Sequence, residues 1–194
     1  MATIIPRWEW RTFNNDLAEF AETITNYGRP NIRKSEEVYI LSKVRDDNTK
    51  IREDLIDIKS LQAVDENKLE QWNPTLKAGF PIGKDNLTEL FKVFGVVAPE
   101  FAREEYTYEQ FLSEVITPNE ALKVVNVKKV RYIYSVNDCI VEFAETEFNG
   151  VPWKTACVEH VDPANVIKTV QELGLVGLEN INYIKAMKKT VGLV

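Results

Sequence analysis

Residues 48–61, Asn-Thr-Lys-Ile-Arg-Glu-Asp-Leu-Ile-Asp-Ile-Lys-Ser-Leu, carry the pattern on which the fold turns. Side chains alternate across a strand, so Lys50 and Arg52 point to one side. Glu53-Asp54 is a polar break that serves as a hairpin turn. The chain resumes with Leu55, Ile56 and Ile58, and Asp57 and Lys59 again share a face. Two antiparallel strands result, each with charges on one face and aliphatics on the other. Such alternation fits a half-solvated sheet face. That is the first reading of this stretch alone; the second is a groove or barrel interior in which several strands aim Lys and Arg at one polyanion. The rest of the chain chooses between the two.

The 194 residues are of a length for one domain, 1–194, with a core that needs no staples. A formal net charge of −6 argues against general nucleic-acid or anionic-membrane binding but leaves room for a local basic pocket. Cys139 and Cys157 form no C-x-x-C pair and His160 is the single histidine, so a zinc site is not expected. The apolar run Thr3–Pro6 is far too short for a targeting segment and no window approaches a membrane span. A reducing, cytoplasmic setting is the expectation.

Working outward towards the N-terminus, Ile4–Phe13 reads as a strand with Trp8, Trp10 and Thr12 on one face and Arg7, Glu9 and Arg11 on the other. The tryptophan side is the buried one. The Arg-Glu-Arg side then faces water as an ion-pair ladder, or a charged cavity. Asn14-Asn15-Asp16 supplies cap chemistry for a helix carrying Leu17, Phe20, Ala21 and Ile24 and stopping at Gly28. A second strand runs over Glu37–Lys43. Residues 62–85, punctuated by Pro74, Gly79, Pro81 and Gly83, read as irregular, with a short strand over Thr75–Phe80 that carries Lys77. Asp85-Asn86 starts a helix ending at Gly95, and Thr107 with Gln110 forms a capping box for another that stops near Pro118.

Strands return with Leu122–Tyr134, which places Lys129 and Arg131 on one face, and Cys139–Phe148. In the latter, Val141, Phe143, Glu145 and Glu147 share one side, and Ile140, Glu142 and Ala144 the other. Asn149-Gly150 is the strongest hairpin-turn dipeptide. It leads into a strand on which Trp153, Thr155, Cys157 and Glu159 share a face. Asp162-Pro163 opens a helix through Leu173-Gly174, and a last helix spans Asn182–Val191. With hairpins throughout and no βαβ repeat, the class is α+β on a large antiparallel sheet.

These pieces, in this order, resemble the CYTH family of triphosphate tunnel enzymes, the group containing class IV adenylate cyclases and thiamine triphosphatases. The resemblance runs over most of the chain: the charged first strand, Val38-Tyr39-Ile40, Lys-Ile-Arg followed by Asp-Ile-Lys, Lys129-Val130-Arg131, the acidic strand at Glu142–Glu147, the strand ending in Glu159, and Asn182-Tyr183-Ile184. It implies a closed antiparallel β-barrel of about eight strands with flanking helices. The lumen is implied to hold a triphosphate-containing small molecule or polyphosphate on Lys and Arg, and Mg²⁺ or Mn²⁺ on carboxylates. By position, Lys50, Arg52, Lys59 and Arg131 are phosphate contacts, Arg11 stands where the family has a lysine, and Lys185 lies on the closing helix. Glu9, Glu159 and one of Glu145 or Glu147 are the metal ligands, with Glu159 and Glu9 the catalytic carboxylates.

Two departures matter. The family's opening Glu-x-Glu-x-Lys stands here as Arg7-x-Glu9-x-Arg11, and its closing Glu-x-Glu stands as Cys157-x-Glu159. Arg7 adds to anion binding and subtracts from metal binding; three carboxylates suffice for one metal rather than two. The expected function is therefore a metal-dependent phosphohydrolase acting on inorganic or organic triphosphates. The alternatives are a non-catalytic polyphosphate or nucleotide-binding module and, last, an adenylate cyclase. The helix and sheet faces left unassigned leave room for a homodimer.

Overall fold

The structure is a computed structural model that describes residues 5–193. Ile4, where the first strand was expected to start, and Thr3 lie outside the described residues; the strand begins at Trp8. In chain order the barrel strands are β1 (Trp8–Phe13), β2 (Asn31–Ser42), β3 (Asn48–Arg52), β4 (Leu55–Val64) and β5 (Glu70–Gly79). A two-stranded ribbon, β6 (Ile82–Gly83) with β7 (Glu105–Tyr106), follows. The barrel then resumes with β8 (Leu122–Val136), β9 (Cys139–Phe148) and β10 (Val151–His160). Eight strands close in the order β1-β10-β9-β8-β2-β3-β4-β5, all neighbours antiparallel. The expected α+β class and closed antiparallel barrel are what the structure shows.

Three two-residue hairpins set the register. Glu53-Asp54, Asn137-Asp138 and Asn149-Gly150 each place both residues in the left-handed region, the backbone that matches strand twist. Glu53 at φ 51° is an uncommon occupant of that region, which marks how firmly β3 and β4 hold the turn.

Two helical layers cover the outer wall. Helix α1 (Ala18–Thr23, continued by a 3₁₀ turn over Ile24–Tyr27) and α4 (Pro163–Glu172) bury Trp10, Tyr134, Val141 and Val158 from β1, β8, β9 and β10. On the opposite side, α2 (Lys84–Phe94) and α3 (Tyr108–Gln110, widening into a π-helical turn over Phe111–Ile116) cover Ile40, Ile51, Ile56 and Ile58. Among the described residues, no helix is long and apolar enough to cross a membrane. The expected caps hold at Asp162, whose side chain accepts from Ala164 N, and at Thr107, reciprocally bonded with Gln110. Helix α1 instead starts after Leu17 without a side-chain cap, because Asn14 Oδ1 is taken by Asp16 N.

Residues 62–85 depart from the expectation. In place of an irregular stretch, β4 runs on to Val64, and β5 is a ten-residue strand that begins at Glu70 rather than Thr75. The period is broken by register shifts at Ile58/Lys59 and Leu61/Ala63, each of which moves side chains to the other face. Pro74 is accommodated because β5 meets β1 at Trp8↔Gln71 and Glu9↔Glu70 and no further along, so beyond Gln71 that edge needs no ladder donor.

This short seam is stitched from the C-terminal side. Ile181 N donates to Arg11 O at 2.7 Å, Arg11 N to Asn180 Oδ1 at 3.1 Å, and Asn182 Nδ2 to Glu70 at 3.0 Å. Asn182 then caps α5 (Tyr183–Val191) by accepting from Lys185 N. Helix α5 plugs one end of the barrel, with Ile184 and Met187 packed on Tyr39, Leu41, Val125, Val127 and Phe148. Lys188 latches it to the β2–β3 loop through Asp46 (2.6 Å) and Arg45 O (2.8 Å). The lumen is thus floored at one end.

Candidate functional site

Strand alternation puts the apolar side chains of most barrel strands under the outer helices and turns the charged ones inward. From β1 the inward residues are Glu9 and Arg11, not the tryptophans. Register then fixes their neighbours: Glu9 lies across from Glu159, and Arg11 across from Cys157, which lies across from Glu142. The resulting cavity is about 130 Å³, and five cations (Arg11, Lys50, Lys59, Lys129, Arg131) and four carboxylates (Glu9, Glu37, Glu142, Glu159) line it.

Arg11 is the centre of one half. Its guanidinium donates to Glu9 Oε1 at 2.7 Å, Glu142 Oε1 at 3.2 Å and Thr155 Oγ1 at 3.2 Å, and it stacks 4.7 Å from the Tyr183 ring. Arg131 grips the other oxygen of Glu142, Nε to Oε2 at 2.6 Å, with a second nitrogen in contact. Burial works against the charge on Glu142, yet Arg11 and Arg131 hold its carboxyl below the ordinary value. Arg11 is itself 5% exposed, which excludes the surface-ladder reading for Arg11 and leaves Arg7 as the exposed member of the three.

The second half centres on Glu37. Lys129 Nζ lies 2.8 Å from Glu37 Oε2 and 2.8 Å from Tyr39 Oη, and 4.1 Å from the centre of the Tyr183 ring. Burial resists ionising Glu37, but Lys129 and Lys50 bring its carboxyl down to about 2. Burial lowers Lys129 to about 8 despite Glu37. Both stay charged at neutral pH. Arg52 reaches Glu37 at 3.5 Å from a half-exposed position at the rim.

Lys50 and Lys59 differ from the rest. Both line the cavity, and among the described residues neither has a carboxylate within ion-pair distance. Burial lowers Lys50, with Glu37 opposing. Asn48 on β3 and Tyr183 on α5 line the same cavity, and Asn48 Oδ1 and Tyr183 Oη are buried without a hydrogen-bond partner among the described residues. Burial pushes the Tyr183 hydroxyl up, so it is a neutral donor. Unsatisfied buried polar atoms are few in a folded protein, and two on residues lining one cavity mark a place for a polar ligand.

The acidic corner is Glu9, Cys157 and Glu159, whose ligand atoms lie within 4.8 Å of one another. Burial raises the Glu159 carboxyl and Glu9 raises it further, against Arg11 and Arg7. Arg7 sits at the mouth, half exposed, with Nε 3.2 Å from Glu159 Oε2.

Three residues expected at the site lie elsewhere. Glu145 and Glu147 project from the outer wall, into a groove of about 650 Å³ shared with Lys34, Lys128 and Lys154. Two-residue closure at Asn149-Gly150 pairs Phe148 with Val151, so Cys157 faces Glu142 while Glu145 faces Lys154. The inward carboxylate of β9 is therefore Glu142. The outer groove is larger, but its charges are exposed and mixed; the converging buried charges belong to the lumen. Lys185 points to the β5 edge, 3.8 Å from Glu70, and does not line the cavity. Glu37, Lys129, Glu142 and Tyr183 are site residues to which the sequence reading gave no role.

No family model matches the chain, and no curated protein matches it. Solved structures do. A conserved hypothetical protein from Pyrococcus furiosus superposes with a TM-score of 0.52 at 16% identity, covering 92% of this chain and 98% of that one. A Bacillus halodurans protein described as a candidate adenylate cyclase gives 0.54 at 12% identity over 92% and 95%. A Hippeastrum candidate adenylyl cyclase, described as having a dominant triphosphatase activity, gives 0.52 at 10% identity over 96% of each chain. At such identities the likeness is one of fold. The chain shares the tunnel-like barrel fold of these structures.

Proposed function

We propose that the lumen binds a triphosphate-class polyanion and, with one divalent cation, hydrolyses it. The carrying observation is the pair Lys50 and Lys59: two cavity-lining ammonium groups without a carboxylate partner among the described residues, in a cavity that the unpartnered Tyr183 also lines. Charge-assisted contacts of this kind suit phosphate oxygens. The fold shared with a protein of triphosphatase activity supports the same reading.

Five cations against four carboxylates leave the cavity nearly neutral, so a ligand of several negative charges enters with a cation of its own. The residues present fit one: Glu9 and Glu159 face each other across β1 and β10 with Cys157 beside them. A divalent ion there supplies Lewis-acid stabilisation of charge on the phosphoryl oxygens. The chain's own residues do the rest. Lys50, Lys59 and Arg131 hold and orient the phosphates, and α5 closes one end to water.

A second reading, binding without turnover, has its own support: Arg7 and Arg11 already occupy Glu159 and Glu9. Phosphate release from tripolyphosphate, ATP and thiamine triphosphate, with Mg²⁺, Mn²⁺ or EDTA, separates the two. Metal-dependent release supports hydrolysis. Thermal stabilisation by the same ligands without release supports binding alone, and neither signal rejects both.

A further inference from the structure

Arg33 is an exposed cation on the lumen face of β2. Glu37 and Tyr39 of that strand line the cavity, so by alternation Ser35 and Arg33 share their side. Ser35 Oγ, 3.4 Å from Glu37 Oε1, has the direction this requires. The pairing of β2 with β8 runs without a shift from Ser42↔Leu122 to Asn31↔Ile133, and it sets Arg33 directly across from Arg131. Like charges in directly opposite positions destabilise a sheet. The lumen-face neighbours of Arg33 on the two strands are Asn31, Ser35, Lys129, Arg131 and Ile133, and none is a carboxylate. On its other edge β2 pairs with β3 at Val38 and Tyr39, so no strand flanks Arg33 there. The cavity's four carboxylates are already engaged: Glu142 by Arg11 and Arg131, Glu37 by Lys129 and Arg52, Glu9 by Arg11 and Glu159 by Arg7. Among the described residues, Arg33 is left without an ion-pair partner.

Its place along the barrel says what it can reach. Helix α5 packs on Tyr39 and Leu41, at the far end of β2, and on Val125 and Val127, at the start of β8. Arg33 and Arg131 therefore stand at the open end, where the Arg131 side chain is 30% exposed. Lys50 pairs with Tyr39, six residues along β2 from Arg33, so the two backbones lie about 20 Å apart along the strand. We propose that Arg33 and Arg131 form a second anion subsite at the mouth, separate from Lys50 and Lys59, and that it selects inorganic phosphate chains longer than three units. An anion between two opposed guanidinium groups turns their repulsion into attraction, and their planar forks match phosphate oxygens. A phosphate chain repeats its charge at every unit and so fills both subsites. ATP and thiamine triphosphate instead bring a nucleoside or a cationic ring to the mouth, and neither offers Arg33 an anion. This rests on the lumen being the phosphate site and is independent of turnover.

The test is calorimetric titration of the full chain with tripolyphosphate, ATP and a size-fractionated long-chain polyphosphate, in the native protein, Arg33→Gln and Lys34→Gln. Arg33→Gln should weaken the long chain about tenfold, the lower end for hydrogen bonds to a charged group, and leave the two short ligands within about twofold. Lys34→Gln removes the same charge from the outer face of β2 and should change none of the three. The unliganded melting point of Arg33→Gln should hold or rise, since a like-charged neighbour is gone. Undiminished long-chain binding in Arg33→Gln overturns the mouth subsite. So does an equal loss for all three ligands, an equal loss in Lys34→Gln, or a lower melting point, which would make Arg33 a structural residue. In each of those cases tripolyphosphate binding by the native protein leaves the lumen reading standing. A native protein that does not bind tripolyphosphate overturns the lumen reading, and the mouth subsite with it.

Discussion

Glu142→Gln is the substitution whose outcome says most about the lumen. It keeps the side chain's size and removes its charge from between Arg11 and Arg131. Breaking a buried ion pair by deleting one partner costs about 3–5 kcal/mol. The structure places this case at the lower end. Arg11 retains Glu9 at 2.7 Å and Thr155 at 3.2 Å, and the Arg131 side chain, 30% exposed, regains water. About 3 kcal/mol is the expected loss, and for a chain of this length each kcal/mol moves the melting temperature by about 2–4 °C. The variant should therefore melt roughly 6–12 °C below the native protein. The same change releases two guanidinium groups for a ligand and leaves five cations against three carboxylates. Tripolyphosphate should bind more tightly, and at 100 times its Kd should restore about 2.7 kcal/mol. Differential scanning fluorimetry with and without tripolyphosphate reads both effects. The expected pattern is a lower melting point without ligand and a larger ligand-induced rise than the native protein shows. A rise that shrinks or disappears would refute the reasoning, because Glu142 would then belong to the ligand or its cation and not to the cations' resting state.

The remaining predictions concern the other wall and the floor. Glu37, at about 2 in the folded protein against 4.5 ordinarily, contributes stability that is complete above pH 4.5 and lost as the pH falls towards 2. Its size is at most about 3 kcal/mol, and urea midpoints over that range should lose most of this slope in Glu37→Gln. Lys129 runs the other way: held at about 8 against 10.5, it burdens the fold below pH 8 and the burden lifts between 8 and 10.5, which the same titration reads in Lys129→Met. Lys50→Ala and Lys59→Ala should each weaken tripolyphosphate about 10–100-fold by calorimetry, with the unliganded melting point of Lys50→Ala unchanged or higher. Tyr183→Phe deletes a buried hydroxyl without a partner; unliganded stability should hold or rise while tripolyphosphate affinity falls about tenfold.

Much of the barrel was legible because its signals are local. Alternation in β1, β3, β8 and β10 fixes which side chains turn inward, and the turns at Glu53-Asp54 and Asn149-Gly150 fix pairing within a few residues. The stretch that became β5 was not legible, since two register shifts and Pro74 erase the period of two that identifies a strand. The misplaced acidic residues have a different cause. Charge density favoured Glu145 and Glu147, while parity across the Asn149-Gly150 turn already excluded them. With Phe148 opposite Val151, odd-numbered residues of β10 pair with even-numbered residues of β9, so a face shared with Glu159 contains Glu142. Tyr183 and Glu37 had no such signal: their roles depend on α5 entering the barrel end and on β2 meeting β8, contacts set by the closed topology.

That topology explains why the lumen carries its own carboxylates. A ring of five cations with nothing between them would repel itself in a cavity of low polarity, and the barrel would need its ligand in order to fold. Glu142 between two arginines and Glu37 beside Lys129 remove that requirement, since each paired charge is neutralised and hydrogen-bonded. The consequence is competition. An incoming phosphate meets Lys50 and Lys59 directly but must displace carboxylates to reach Arg11, Lys129 and Arg131. Differences between triphosphate ligands should then arise where displacement is required, on the β8 and β9 side, while the lysine wall on β3 and β4 supplies attraction common to all of them.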